Sequence, residues 1–358
     1  MISSNAAKNR AWGTPRKVHG RRLYQMKAVV LRELGGPEVL RVEEVPDPQP
    51  SAGEVVVRLR AAALNHRDVW IRTGRYAGIT LPIILGSDGA GVVVATGTGV
   101  DPVWQGREVV IDPAFNWGAD ERVQGPAFQI LGLPRDGTYA ELVKVPADSL
   151  HDRPQTLSWE DAAAVPLATV TAYRALVTRA QITAGETVVV TGIGGGVATC
   201  ALLIARHLGA SVYVTSGSDA KLDAARQHGA AGGVNHRDPE WPKALIGLIG
   251  GRPDVVIDGA GGETFNRVLD LVTPGGRVVS YGSTLGPTQN LEGRRIFWKQ
   301  LNVLGSTMGT RRDFAAMLRL YADGLRPIVD TVLPLESAAE AHRRMEEGKQ
   351  FGKIVLRI

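Results

Sequence analysis

The chain has 358 residues, of which 22% are charged and 44% are hydrophobic, which is typical of globular proteins and unlike disordered or collagen-like chains. Cys200 is its only cysteine, so disulfides within the chain and sites built on several thiolates are excluded, and a reducing, cytoplasmic location is expected. Gly or charged residues interrupt every apolar run well before the roughly 20 residues that a membrane span needs, so no membrane partner is expected.

The positive charge is concentrated at the start of the chain. The whole chain carries +5, but residues 1–25 hold six basic side chains and no acidic one, so residues 26–358 carry −1. A new strand pattern, MKAVVL, begins at Met26. We therefore expect residues 1–25 to be a flexible basic extension, with a cloning remnant, an upstream start or a targeting segment as alternatives. Because the remainder is not basic, no nucleic-acid binding by the folded part is expected.

Residues 26–155 show short alternating segments that are separated by Gly and Pro. In GEVVVRLRAAAL, for example, Val55, Val57 and Leu59 share one face, as half-buried strands require. This pattern predicts an antiparallel barrel or sandwich.

Residues 156–312 follow a different rhythm, in which six β-prone runs alternate with helical stretches. The runs are TVVVT at 187–191, SVYVT at 211–215, AGGVN at 231–235, DVVID at 254–258, RVVSY at 277–281 and NVLGS at 302–306. Such alternation predicts a parallel sheet covered by helices, and hence an α/β fold. The strands of residues 313–358 are too few for a separate domain, so we expect them to complete the first one.

The stretch VVVTGIGGGVATCALLIARHLGA predicts a strand, a glycine-rich turn and an amphipathic helix. Gly192, Gly195 and Gly196 allow a tight turn and close approach to a pyrophosphate, and the helix that begins near Val197 offers free amides to its charge. Because the motif lies inside the six-run α/β pattern, it predicts a dinucleotide site. A glycine-rich turn without a ligand is the alternative.

The end of the second run indicates which dinucleotide binds. A site for NAD usually has an acidic residue there for the ribose hydroxyls, but this chain has Ser216, then Ser218 and Lys221. Hydroxyls and one lysine suit a 2′-phosphate, so we predict NADPH in preference to NADH. Asp219 is the alternative ribose ligand, although its position also suits an acid that begins a helix.

Several ordered motifs together resemble the medium-chain dehydrogenase/reductase superfamily, and within it the zinc-free quinone oxidoreductase branch. They are MKAVVLRELGGPEVL, LPIILGSDGAGVV, DGTYAELVKVP, AAAVPLATVTAYRAL, the glycine loop, VVIDGAGG, GGRVVSYGST and GKIVL, and they extend from Met26 to Ile358. The resemblance implies a GroES-like substrate domain over residues 26–155 and 313–358, and a Rossmann domain over residues 156–312. It also implies an active site in the cleft between them and a homodimer or homotetramer, which we expect to form by edge pairing at NVLGSTMG.

The resemblance also predicts that no metal is bound. In zinc alcohol dehydrogenases of this superfamily the position of Asn65 is a cysteine ligand, and a His-Glu pair stands where this chain has Ser87 and Asp88. Amide and hydroxyl groups are poor donors to Zn²⁺. A different cation held by His66 and Asp88 is the alternative.

Three residues are the expected catalytic candidates. Zinc-free relatives carry asparagine at the position of Asn65, which is therefore expected to donate near the nicotinamide and the substrate oxygen, or else only to cap the following segment. Asp68 is expected to fix Asn65 or a basic side chain, or to be a surface carboxylate. Tyr76 is expected to border the substrate pocket, where it donates a proton or only packs.

Further cofactor residues are implied by the resemblance alone. Relatives often have tyrosine where His236 stands, and we expect this histidine to contact the adenosine phosphate, with Arg237 as a second possible partner. The other implied residues are Thr171 and Tyr173 at the nicotinamide end, Gly259 and Gly282 under the ribose, and Ser306, Thr307, Met308, Gly352 and Lys353 near the nicotinamide ribose and pyrophosphate.

The function expected from these features is hydride transfer from NADPH to a small molecule without a metal. Without a Lewis acid, a quinone or an α,β-unsaturated carbonyl is the easier acceptor, because the developing charge spreads onto an oxygen that hydrogen-bond donors stabilise. The alternatives are an alcohol or aldehyde dehydrogenase of the same superfamily, and an NADPH-binding relative with a structural or nucleic-acid-binding role.

Overall fold

The computed structural model describes the backbone of residues 14–18 and 21–358, and the side chains from Gln25 onward. The strands, in chain order, are β1 (Thr14–Val18), β2 (Arg21–Leu31), β3 (Leu40–Pro46), β4 (Glu54–Ala63), β5 (Ile83–Ile84), β6 (Asp88–Thr96), β7 (Glu108–Ile111), β8 (Ala114–Phe115), β9 (Gln129–Ile130), β10 (Leu142–Pro146), β11 (Leu150–Asp152), β12 (Thr187–Val190), β13 (Ser211–Ser216), β14 (Gly232–Asn235), β15 (Val255–Asp258), β16 (Arg277–Ser280), β17 (Asn302–Gly305), β18 (Val329–Pro334) and β19 (Lys353–Arg357).

The helices lie mainly in the second half of the chain. They are α1 (His66–Arg72), α2 (Trp159–Ala164), α3 (Pro166–Tyr173), α4 (Gly196–His207), α5 (Asp219–Gln227), α6 (Trp241–Ile249), α7 (Thr264–Leu271), α8 (Arg294–Phe297), α9 (Arg311–Ala322) and α10 (Ala338–Glu346). A π-helical segment, Arg174–Arg179, continues α3 directly. Short 3-10 turns precede several strands.

The first domain is built from two mainly antiparallel sheets. One has the order β11-β7-β6-β4-β19-β18, with β10 also paired to β4, and the other has the order β1-β2-β3, with β5 paired to β2. The closing strands β18 and β19 thus join the sheet of the first domain, because β19 pairs antiparallel with β4. Apolar side chains from both sheets, including Leu31 on β2 and Val56 on β4, form the core between them.

The second domain contains the expected parallel sheet, with the strand order β14-β13-β12-β15-β16-β17. Each of the six β-prone runs becomes one of these strands. The central strand β12 has buried valines at 188–190, because helices cover both faces of the sheet. The order changes direction at β12, and open parallel sheets bind ligands at such a point, outside the carboxyl ends of the strands. The α/β class and its barrel-plus-Rossmann architecture are confirmed.

The start of the chain differs from the expected flexible extension. Strand β2 begins at Arg21 rather than at Met26, and β1 pairs with it in antiparallel register from Thr14↔Gln25 to Val18↔Arg21. A strand extends as far as a partner strand can pair with it. The sequence around Met26 does not show that residues 14–18 pair with residues 21–25, so it did not predict the earlier start of β2. Residues 1–13, 19 and 20 of the expected extension lie outside the described residues. Within the described residues, none of the helices combines the length and hydropathy needed to cross a membrane.

Candidate active site

Asn65 lies where β4 ends and α1 begins. Its backbone occupies the position before the first helical residue, and its N–H donates to the Asp68 carboxylate at 2.9 Å. The Tyr139 hydroxyl donates to the same carboxylate oxygen, also at 2.9 Å. Asp68 is therefore a fully buried group that fixes the Asn65 backbone, and its alternative as a surface carboxylate is wrong. Burial raises the pKa of Asp68, while the nearby Arg67 guanidinium lowers it.

The side chains of Asn65, Asp88 and Lys353 form a closed cluster, called here the polar centre. The Asn65 amide donates to Asp88 Oδ2 at 2.9 Å. The Lys353 ammonium donates to Asn65 Oδ1 and to Asp88 Oδ2, each at 2.8 Å, and to the Leu64 carbonyl at 2.7 Å. The second Asp88 oxygen accepts the N–H of Leu167 at 2.8 Å. Because the side chains of Asp88 and Lys353 are 0% and 3% exposed, this ion pair is shielded from water.

The pairing of β19 with β4 brings Lys353 to this position. The Leu64 N–H donates to the Ile354 carbonyl at 3.0 Å, so Lys353 lies beside Leu64 and Asn65 although about 290 residues separate them. The aliphatic part of Lys353 passes the glycine loop, where a Cβ on Gly196 would lie 3.0 Å from Lys353 Cδ. Lys353 was expected near the nicotinamide ribose and pyrophosphate. Its aliphatic part does lie beside the glycine loop, but its ammonium group lies in the polar centre.

The residues of the polar centre do not fit a catalytic zinc ion. Such an ion needs about three protein donors such as thiolate, imidazole or carboxylate, together with an open position. In the described part of the chain, no three His, Cys, Asp or Glu side chains come together in a way that would hold a metal. Asn65 contributes only an amide, and the Lys353 ammonium already neutralises the Asp88 carboxylate. His66 packs against Trp70, with ring centroids 5.6 Å apart.

A second polar group, which the sequence analysis missed, adjoins the polar centre. The Arg67 guanidinium is buried, and its Nη1 donates to Ser87 Oγ and to the Leu131 carbonyl, each at 2.8 Å. This guanidinium lies over the Tyr76 ring, with Arg67 Cζ 5.1 Å from the ring centroid. The signal in the sequence that could have identified Arg67 is its place between Asn65 and Asp68, two residues that were themselves catalytic candidates. Tyr76, which was expected at the pocket border, thus contacts a buried cation.

The glycine loop has the shape that a phosphate cradle requires. Gly192 and Gly194 have φ angles of +66° and +118°, which side chains with a Cβ rarely adopt. A Cβ on Gly194 would lie 2.9 Å from the Lys221 ammonium, so this lysine borders the loop. The ammonium donates to the Gly348 carbonyl at 2.7 Å, and burial lowers the pKa of Lys221. The loop and a cation thus flank the N-terminus of α4, near Val197.

The end of β13 collects most of the predicted specificity residues. The Ser218 N–H donates to Ser216 Oγ at 3.2 Å, and the His236 N–H donates to the Ser216 carbonyl at 2.9 Å. His236 Nε2 and Arg237 Nε each lie 3.1 Å from where a Gly217 Cβ would be, so both side chains border this turn. The rival carboxylate, Asp219, accepts a hydrogen bond from Asn235 at 2.9 Å.

The other predicted cofactor residues come from several elements: Gly259, Gly282 and Ser306 follow strands β15, β16 and β17, whereas Thr171 and Tyr173 lie on α3. Thr171 Oγ1 donates to the Leu167 carbonyl at 2.8 Å and lies 4.0 Å from Met308 Sδ. A Cβ on Gly282 would lie 3.2 Å from the Gly259 carbonyl, and the Gly352 N–H donates to Gly194 O at 3.0 Å. The remaining three differ in exposure: Tyr173 and Ser306 are half-buried, and Thr307 is exposed.

Two protein families match the chain. The family described as "Alcohol dehydrogenase GroES-like domain" matches residues 51–155, and the family described as "Zinc-binding dehydrogenase" matches residues 196–323. These ranges lie in the barrel domain and, for the most part, in the parallel-sheet domain. The match to the second family includes the whole of α9.

Full-length relatives carry several names. A zinc-type alcohol dehydrogenase-like protein of Leptosphaeria maculans is 35% identical, over 89% of this chain and 94% of that protein. An acryloyl-coenzyme A reductase of Metallosphaera sedula is 32% identical, over 92% and 99%. A quinone oxidoreductase of Homo sapiens is 30% identical, over 92% and 97%.

A crystal structure described as an NAD-dependent alcohol dehydrogenase superposes on this chain with a TM-score of 0.88 at 44% identity, covering 93% of this chain and all of that one. Since relatives above 30% identity align over nearly their whole length, and both domains match the expected families, the chain belongs to the medium-chain dehydrogenase/reductase superfamily and is an oxidoreductase.

Proposed function

We propose that this protein reduces a quinone or an α,β-unsaturated carbonyl compound with NADPH and without zinc. The observation that carries this proposal is the polar centre, in which the Lys353 ammonium bonds to both Asn65 and Asp88. In zinc-dependent members of the superfamily, metal ligands stand at the positions of Asn65 and Ser87. Here a protein cation already compensates the Asp88 carboxylate next to those positions.

The choice of acceptor follows from this lack of a Lewis acid. A simple ketone or alcohol relies on a metal to polarise its oxygen, whereas a conjugated acceptor distributes the developing charge over several atoms. Hydrogen-bond donors then suffice to stabilise the oxygen. Relatives named quinone oxidoreductase and acryloyl-coenzyme A reductase support this class of acceptor.

NADPH is proposed as the reductant because of the groups at the end of β13. A bound NADPH would supply the hydride. Its 2′-phosphate would accept hydrogen bonds from the Ser216 and Ser218 hydroxyls. His236 and Arg237 border the same turn. The Lys221 ammonium beside Gly194 adds a positive charge near the phosphates. No carboxylate stands at the strand end itself, and Asp219 is held by Asn235.

One observation favours a second candidate, an NAD-dependent alcohol dehydrogenase. The crystal structure with 44% identity is described by that name. The candidate requires hydride removal from an alcohol, and therefore either a metal or another strong means of stabilising an alkoxide. The polar centre offers neither, because every N–H of the Lys353 ammonium already has a protein acceptor.

The experiment compares acceptors and cofactors with the purified protein after chelation. We expect NADPH oxidation with 1,4-benzoquinones or α,β-unsaturated ketones, slower oxidation of NADH, and unchanged rates after EDTA treatment. We expect no reduction of NADP⁺ or NAD⁺ by simple aliphatic alcohols. Stoichiometric zinc in the protein together with chelator-sensitive alcohol oxidation would contradict the proposal.

A further inference from the structure

At the polar centre, protein acceptors use all the N–H groups of Lys353 but only one of the two amide N–H groups of Asn65. The Lys353 ammonium has three N–H groups, and each donates to a protein oxygen at 2.7 or 2.8 Å. Lys353 therefore has no donor left for a substrate. The Asn65 amide gives one of its two N–H groups to Asp88 and accepts from Lys353, so it retains a single N–H. An acceptor oxygen at this place needs a further donor.

Arg67 carries that further donor. Of its five N–H groups, the two on Nη1 are used by Ser87 and Leu131. Its Nε is buried without any hydrogen-bond partner, and within the described residues the hydrogen bonds of the Arg67 side chain come from Nη1. Arg67 also forms no ion pair with any carboxylate in the described part of the chain, although its residue is only 6% exposed. Leaving a buried donor without a partner is unfavourable, so the Arg67 Nε indicates a missing partner.

Contacts with the protein fix the Arg67 guanidinium beside the polar centre. Nη1 is fixed by two acceptors, and Arg67 Cζ lies 5.1 Å from the centroid of the Tyr76 ring. Ser87, which accepts from Nη1, directly precedes Asp88 of the polar centre. The free edge, formed by Nε and Nη2, presents parallel N–H groups of the kind that bind an anionic oxygen.

We propose that the free edge of Arg67 binds the acceptor's carbonyl oxygen and stabilises the negative charge that this oxygen gains during reduction. The proposal rests on the proposed function and names its oxyanion-binding residue. Hydride from the dihydronicotinamide forms a C–H bond at the β-carbon, the C=C electrons shift toward the carbonyl, and the carbonyl π pair moves onto oxygen as an enolate. A proton from solvent then adds at the α-carbon. In a quinone, the same two electrons leave a phenolate on the same donor.

The test uses the full-length protein with bound NADP⁺ and 4-nitrophenol, a coloured phenol whose anion mimics the enolate. We expect the wild type to bind the phenolate form and to lower the pH at which the bound phenol ionises. Arg67→Met should weaken phenolate binding at least tenfold and abolish that shift, and Arg67→Lys should give an intermediate result. Arg75→Met, which removes an exposed arginine just after the same helix, is the matched control and should leave binding unchanged.

Turnover provides the second readout. With a conjugated acceptor, Arg67→Met should reduce kcat by about 10²–10³-fold, as the loss of an oxyanion donor does elsewhere. The dissociation constant for NADPH should stay within twofold, and added guanidinium ion should restore part of the rate. Unchanged phenolate binding in Arg67→Met would overturn the proposal, because Arg67 then only balances Asp68 or holds a buried water. If the wild type binds phenolate through Arg67 but reduces no conjugated acceptor, the proposal that Arg67 binds an oxyanion is retained and the proposed reductase function is contradicted.

Discussion

Lys353 is the residue on which the electrostatics of the active site depend. Its charge is buried together with that of Asp88, and removing one partner of such a pair leaves an uncompensated charge, which costs about 3–5 kcal/mol. We expect Lys353→Met to lower the free energy of unfolding by about that amount. It should also reduce kcat/KM for a conjugated acceptor, because Asn65 loses the donor that orients its amide.

The double variant Lys353→Met/Asp88→Asn separates charge from position. Because both charges are then absent, most of the lost stability should return in urea unfolding, whereas kcat/KM should stay low. Lys353→Arg keeps the charge and serves as the conservative comparison. If Lys353→Met unfolds at the same urea concentration as the wild type, Lys353 does not compensate Asp88.

The catalytic candidates were predictable from sequence only where they lie close together in the chain. Asn65 and Asp68 belong to one segment, so the bond between them follows from local helix geometry. Lys353 reaches Asn65 only through the register of β19 on β4, which local patterns do not encode. Arg67 was missed because a charged side chain in a short helix normally points to solvent, and only the packed structure shows it buried.

At the scale of elements, the turn from β13 into α5 should determine which cofactor is preferred. A charge-assisted hydrogen bond contributes about 1.5–3 kcal/mol, or roughly 10–150-fold in affinity. We therefore expect Lys221→Met to weaken NADPH binding by at least tenfold and NADH binding by less than threefold. Titration of the protein's tryptophan fluorescence with each cofactor measures both constants.

The control for this prediction is Lys243→Met on α6, which removes an exposed lysine from the same domain. It should change neither dissociation constant. Lys221 also donates to the Gly348 carbonyl, so it has a possible structural role. Equal losses for NADPH and NADH would show that Lys221 does not recognise the 2′-phosphate but supports the loop or the pyrophosphate.

The elements of the parallel-sheet domain were easier to predict than those of the barrel. Each strand from β12 to β17 is a short β-prone run between helices, and the connections between such strands follow general rules of handedness. In the barrel, β4 pairs with β6, β10 and β19, which are distant in sequence. Antiparallel strands found by alternation alone do not reveal these partners. The pairing of β1 with β2 was missed for a different reason: these strands are neighbours in the chain, but the basic composition of residues 1–25 predicted a flexible extension.

For the molecule as a whole, the edge strand of the parallel sheet and the segment before it carry exposed apolar side chains. Strand β17 is the last strand of that sheet, so one side of its backbone has no partner strand within the described chain. Five exposed apolar side chains belong to β17 or to the segment before it. They are Leu285, Leu291, Phe297, Trp298 and Val303, and Trp298 and Phe297 are 74% and 67% exposed. Monomeric proteins rarely expose a large apolar surface of this kind.

We therefore expect two copies to pair through β17 and to extend the sheet across a twofold axis, with Trp298 buried between them. Sedimentation of the wild type at micromolar concentration should give twice the monomer mass, or four times if dimers associate further. Val303→Lys places a charge in that edge and should shift the mass to that of one chain. Leu248→Lys, at an exposed apolar residue on α6, is the control and should not change the mass. A wild type that sediments as a monomer would contradict this pairing.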